Sequence, residues 1–136
     1  MNYLLDSNIC IAILNESSQK VTQSIRNAKL AGEELFLSSI VLHELWFGVA
    51  KSQRIDRNAA ILTEFIHGAY PILDFSNGDA EAAGQIQAAL KVAGTPIGAY
   101  DTLIAGQALA RGLTLVTANT REFSRVDGLN LVDWTL

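Results

Sequence analysis

The sequence predicts a three-layer α/β domain with a mainly parallel sheet of about five strands. Short apolar, β-rich runs alternate with longer stretches of helical periodicity, so successive strands need crossover connections. Such a sheet is covered by helices on both faces. Of the 136 residues 49% are apolar, enough for a sizeable core, and with two prolines, ten glycines and no repeated unit nothing marks a linker. One domain over residues 1–136 is therefore expected.

Tyr3 to Leu5 is an apolar run that stops at Asp6-Ser7-Asn8, a polar triplet suited to capping a helix over Ile9 to Leu14. Lys20 to Ala31 reads as a second helix stopped by Gly32, and Leu35 to Leu37 as a strand. Ser38-Ser39 leads into a helix from about Ile40 to Lys51, with Ser39 as its expected cap, and Arg57 to His67 continues helical. Pro71 to Phe75 is a strand, and Ser76 with Asp79 three residues on is a capping box for a helix to about Val92. Beyond the loop Gly94 to Gly98, Asp101 opens a helix that closes at Arg111-Gly112, a basic last turn followed by a glycine stop. Leu113 to Thr117 and Leu129 to Trp134 complete the strands.

Ten Lys plus Arg against fourteen Asp plus Glu give a net charge of −4, so no bulk basic field exists to hold a polyanion. The single cysteine, Cys10, makes no internal disulfide and lacks the soft partners of a thiolate zinc site, which points to packing and a cytoplasmic location. The first residues lack the basic segment and apolar run of a signal peptide, and no uncharged apolar stretch approaches the ~18 residues that span a bilayer.

Chemistry in such folds gathers at the carboxyl ends of the strands. Asp6, Glu44, Asp101 and Asn119 fall there or on a helix just beyond. Each has a plain structural explanation: a helix cap for Asp6, a solvated face for Glu44, a favourable helix dipole for Asp101, a turn for Asn119. Against these, Leu42, Leu45, Trp46 and Val49 form a stripe predicted as core, and Glu44 sits nearly opposite, framed by Val41, Phe47 and Gly48. The nine residues after Asp101 carry no charge, which marks a buried helix, and the loop before it is shaped by Gly94, Pro96 and Gly98. If the three carboxylates converge they repel unless a cation neutralises them. Oxygen ligands without thiolates or a histidine pair select Mg²⁺ or Mn²⁺, ions that work on phosphate substrates.

Other patterns fit less well. A receiver domain needs an acidic pair after its first strand and a Lys after its last long one; a haloacid-dehalogenase phosphatase needs an Asp where Asn8 stands. His43 lies about 100° round the helix from Glu44 and reads as solvated or tertiary, and His67 suits a helix end. Lys51, Arg54 and Arg57 are the densest basic cluster, either a solvated loop or a phosphate-contacting arm; Arg121 and Arg125, flanking Phe123, offer the same choice.

Taken in order, these blocks resemble a PIN-domain ribonuclease of the VapC toxin type. They are Leu5-Asp6-Ser7-Asn8-Ile9-Cys10; Ser38 to Leu45 with Gly48-Val49 and Lys51-Ser52; Gly94 to Gly98; Tyr100 to Ala105; Leu115 to Phe123; and Leu129 and Trp134. The resemblance implies a PIN-like fold with metal-binding acids at Asp6, Glu44 and Asp101. Asn119 stands where many PIN proteins carry a fourth acid, which implies a less firmly held second ion. Ser7 and Thr117 fall in supporting positions. The implied activity is Mg²⁺- or Mn²⁺-dependent endonucleolytic cleavage of RNA, transfer RNA being one substrate class, by a metal-activated water. The implied partners are a second copy and a VapB-like antitoxin whose C-terminal segment blocks the cleft; no membrane is implied. Two rivals stand beside it: a PIN nuclease of RNA processing or acting on DNA, and a catalytically silent domain whose acidic cleft binds a basic peptide.

Overall fold

The computed structural model describes residues 1–68 and 70–136. The elements in chain order are β1 (Tyr3–Leu5), α1 (Ser7–Leu14), α2 (Gln19–Leu30), β2 (Leu35–Ser38), α3 (Ser39–Ala50), α4 (Ile55–Ile66), β3 (Ile72–Leu73), α5 (Asn77–Ala93), α6 (Ala99–Ala110), β4 (Thr114–Val116), α7 (Thr120–Phe123) and β5 (Leu131–Val132). The strands form one sheet in the order β3-β2-β1-β4-β5, and every pairing is parallel. With this strand order, the right-handed rule for parallel crossovers places α1 to α4 on one face and α5 to α7 on the other, the expected three-layer arrangement. The chain runs outward from β1 through β2 to β3, then returns across the sheet to β4. The crevice between β1 and β4 is therefore the switch point where ligands of such folds bind.

β1 is central because it is short and wholly apolar: Leu4 and Leu5 are both fully buried, one on each face, against Leu35, Leu37, Leu115 and Val116 of the adjoining strands. Ser18, Ser38 and Ser76 cap α2, α3 and α5, and the Ser76–Asp79 capping box is reciprocal. Gly94 ends α5 in the left-handed conformation that favours glycine, at φ 73°. α5 and α6 pack closely because Gly106 has no side chain: a Cβ there would lie 2.6 Å from that of Ala83.

The same hairpin holds a polar lock. The Asp79 carboxylate accepts from Nε and Nη2 of Arg111 at 3.1 and 2.9 Å and from Gln107 Nε2 at 3.2 Å, while Arg111 also reaches the Asp74 carbonyl at 2.9 Å. Burial alone would raise the Asp79 carboxyl, yet these bonds and that from the Ser76 N–H hold it below the ordinary carboxylate range.

Several expectations change. The inner face of α3 is Val41 and Leu45; Leu42 and Val49 are only half-buried and Trp46 is exposed, so the predicted core stripe is turned by about one position. Helix α3 is apolar nearly all round, and a wheel cannot choose among apolar faces. Ser39 caps nothing: Ser38 does, and Ser39 Oγ instead accepts from the Phe75 N–H. α4 begins at Ile55 and α6 at Ala99, each two residues earlier than expected, and β3 and β5 are two-residue strands. The short α7 was not foreseen, since four residues carry too little periodicity.

Candidate active site

Asp6 ends β1 and caps α1, so the cap and the site position are the same residue. Its Oδ1 accepts from the Ser7 N–H at 2.8 Å, and its Oδ2 from Thr117 Oγ1 at 2.7 Å and Asn8 Nδ2 at 3.0 Å. Asn8 goes on to accept from the Ala118 N–H, and Thr117 Oγ1 accepts from the Asn119 N–H. The network ties the end of β1 to the end of β4 across the switch point and fixes the buried Asp6 carboxylate in place. Asn8 is a member that sequence reasoning missed; its only signal was its place in the polar triplet after β1.

Glu44 points inward from α3, half-buried, and Asp101 lies in the first turn of α6. Both lie near enough to Asp6 to feel its charge. Burial raises Asp6, with hydrogen bonds from Thr117, Ser7 and Asn8 opposing it. Burial and the charges of Asp6 and Asp101 push Glu44 up to about 7, the Ser7 hydroxyl offsetting part of the rise. Burial and the charges of Asp6 and Glu122 push Asp101 up to about 6. No cation of the protein answers this charge: among the described residues the ion pairs are Asp79–Arg111 and the N-terminal amine with Glu33, both elsewhere.

Glu122 is a second residue the sequence did not flag. It projects from α7, adds to the negative charge that raises Asp101, and accepts from Asn119 Nδ2 at 3.1 Å. Asn119 thus reaches the cleft through Glu122, one helical turn on. The backbone of Gly98 comes close to the acids, a Cβ there falling 3.2 Å from Asp101 Oδ2, and Arg125 fastens this loop by donating to the Pro96 carbonyl at 2.9 Å.

The donor set suits a hard divalent cation. The acids offer oxygen donors, Glu44 Oε1 is buried without a hydrogen-bond partner, and the neighbouring Cys10 is fully buried with its thiol pushed up by burial, unfit to ligate as thiolate. Among the described residues no three acidic, histidine or cysteine side chains already stand at coordination spacing.

The basic residues stay at the periphery. Lys51, Arg54, Arg57 and Arg121 are exposed and form no ion pair among the described residues. Arg54 stands at the N-cap of α4 and Arg57 in its first turn, where the helix dipole disfavours cations, so helix stability does not explain them. A groove of about 250 Å³ runs between α1, α3 and α4, lined by Ile11, Leu14, Val49, Ile61 and Leu62 and reaching Glu44 at one side. Gly48 lies in its wall, and a Cβ there would meet nothing within 4 Å, so no other segment of the chain approaches this glycine closely.

A wholly parallel α/β sheet with acids gathered beside the switch point between β1 and β4 defines the class of domain. Residues 3–129 match the PIN domain family, and the chain belongs to it. It is 39% identical over 135 residues to the tRNA(fMet)-specific endonuclease VapC of Shigella flexneri and 36% identical over 134 residues to ribonuclease VapC2 of Rickettsia felis, covering 99% and 98% of each chain in the pairs. Among solved structures it matches VapBC2 from Rickettsia felis bound to a promoter DNA fragment, with TM-score 0.91 and 35% identity over 98% of this chain and 99% of the other. DNA-bound VapBC from Salmonella typhimurium matches with TM-score 0.90 and 37% identity over 98% of both.

Proposed function

We propose that residues 1–136 act as one nuclease unit, a divalent-cation-dependent endoribonuclease that is the toxin of a toxin–antitoxin pair. The observation that carries this reading is the grouping of acids: Asp6 is buried at the end of the central strand, its charge raises both Glu44 and Asp101, and among the described residues no cation pairs with any of the three. Relatives named as endonucleases and ribonucleases support it at near full length. When bound, Mg²⁺ or Mn²⁺ would activate a water for in-line attack and neutralise charge on the phosphate. Asp6, Glu44 and Asp101 would hold that ion, and Asn119 with Glu122 would orient water at its edge. Ser7, Asn8 and Thr117 keep the Asp6 carboxylate from rotating away. Lys51, Arg54, Arg57 and Arg121 would take backbone phosphates beside the cleft.

The neighbouring structures are VapBC toxin–antitoxin assemblies, which supports a VapB-like antitoxin partner; a homodimeric toxin acting in the cytoplasm belongs to the same proposal. The groove between α1, α3 and α4 suits the apolar side chains of such a partner segment, and its edge at Glu44 would let a partner cation enter the acidic cleft in place of the metal. The test is incubation of purified protein with a transfer-RNA pool and mapping of the termini, in chelator and then in Mg²⁺ or Mn²⁺. Discrete new ends that require the ion, and that vanish when the antitoxin from the adjacent gene is added, are expected. Binding without cleavage under every ion would leave only a peptide-binding module and defeat the proposal. Among the described residues no helix is long and apolar enough to cross a membrane.

A further inference from the structure

Helix α3 carries more than Glu44. Its outer face presents His43, Trp46 and Phe47 to solvent, with Trp46 40% and Phe47 61% exposed. These positions share one side of the helix, while Val41 and Leu45 face the core. His43 packs against Tyr100 of α6, ring centroids 5.3 Å apart and planes tilted by 55°, and Tyr100 is itself 47% exposed. At the far end of the face Lys51 Nζ lies 5.0 Å from the centre of the Phe47 ring. His43 and Tyr100 immediately precede Glu44 and Asp101 in the chain, so the tilted pair sits beside two of the clustered acids. Fold stability does not require exposed Trp, Phe and Tyr rings, and such a contiguous patch marks a contact surface.

Resting on the endoribonuclease reading above, we propose that the His43–Tyr100 pair and Phe47 form a stacking track that holds unpaired bases of single-stranded RNA next to the cleft, with Lys51 on the backbone phosphate. Aromatic faces take any base, and a cation at the end of the row fits a polyanion better than an apolar peptide. In a chain with net charge −4 this track supplies affinity that a general basic field does not. These are positioning residues. They fix which nucleotides flank the scissile bond without touching the reacting atoms.

The test uses the full chain and a short single-stranded RNA that it cleaves, with 2-aminopurine placed in turn at each position near the cut. Tyr100→Leu and Phe47→Leu keep apolar bulk and remove the π face, while Tyr100→Phe preserves it. The Leu variants should raise KM roughly five-fold or more, as loss of a stacked base predicts, with kcat unchanged. They should also abolish the 2-aminopurine quench that wild type gives at one or two positions. Tyr100→Phe should restore both, and an abasic site at the quenched position should erase the difference between wild type and Tyr100→Leu. Unchanged KM and quench in the Leu variants of a protein whose wild type cleaves RNA would overturn the track alone. Wild-type KM together with dissociation of an oligomer on sedimentation would assign the face to self-association and overturn it as well. Failure of wild type to cleave RNA with any divalent ion would instead defeat the nuclease reading on which the track rests.

Discussion

Asp79 and Asp101 each stand in the first turn of a helix, on α5 and α6, and each gains the same favourable dipole. Asp79 is held below the ordinary carboxylate range, whereas Asp101 is pushed up to about 6. The difference is company. Asp79 is gripped by the Arg111 fork, by Gln107 and by the Ser76 N–H, while Asp101 faces Asp6 and Glu122. A satisfied acid locks two helices together; an unsatisfied cluster stores repulsion that an outside cation relieves. Helix α6 joins the two, carrying Asp101 near its start and Arg111 at its end.

The largest test of this contrast is Asp101→Asn. Cleavage should fall by ~10³-fold or more, since several kcal/mol of metal-borne charge stabilisation are lost, while thermal stability without metal stays equal or rises. Retention of full activity in Mg²⁺ would remove Asp101 from the site. On the satisfied side, Arg111→Ala should leave Asp79 buried without its counter-charge, held only by Gln107 and the Ser76 N–H. Breaking a buried pair costs about 3–5 kcal/mol, and because Arg111 keeps 31% of its side chain in solvent we expect about 2–3 kcal/mol in urea unfolding, with RNA cleavage intact. Next, Gly106→Ala pushes a methyl into Ala83 and should cost about 1–3 kcal/mol by overpacking, read as a lower Tm.

The pH dependence should carry both signs. Glu44 at about 7 and Asp101 at about 6 lie above their unfolded values, so the native metal-free protein binds the extra protons. Their contribution is full at low pH and is lost as pH rises through about 6 to 7, so Tm should fall between about pH 5 and pH 8, and saturating Mn²⁺ should flatten or reverse the trend. Asp79 lies below its unfolded value, so its contribution holds above about pH 4 and is lost on further acidification, a loss that Arg111→Ala should abolish. The smallest effect is expected from Arg54→Ala or Arg57→Ala, which should weaken RNA binding modestly and lower the slope of log K against log salt by about one, leaving metal affinity alone. An unchanged slope would return these residues to the role of solvated charges.

Much of this was legible along the chain because it rests on local chemistry. The Ser76–Asp79 capping box, the glycine stop at Gly94 and the buried run at Leu4 and Leu5 are set by neighbours within a turn or a strand. Asp6, Glu44 and Asp101 could be singled out because each follows a strand or interrupts an apolar helix. Their convergence could not, since it depends on β1 lying between β2 and β4, a pairing made by residues more than a hundred positions apart.

Tertiary structure alone brought Asn8 and Glu122 to the cleft, because a short polar triplet and a four-residue helix carry no periodic signal, and it alone paired Asp79 with Arg111. It also chose which face of α3 is buried, a choice left open where apolar residues surround the axis. By itself the sequence determined the α/β class, the order of elements and the identity of the acids, for these follow from periodicity and side-chain type. Packing decided which acids are satisfied and which are left charged together, because a carboxylate's state depends on what stands within a few ångströms of it.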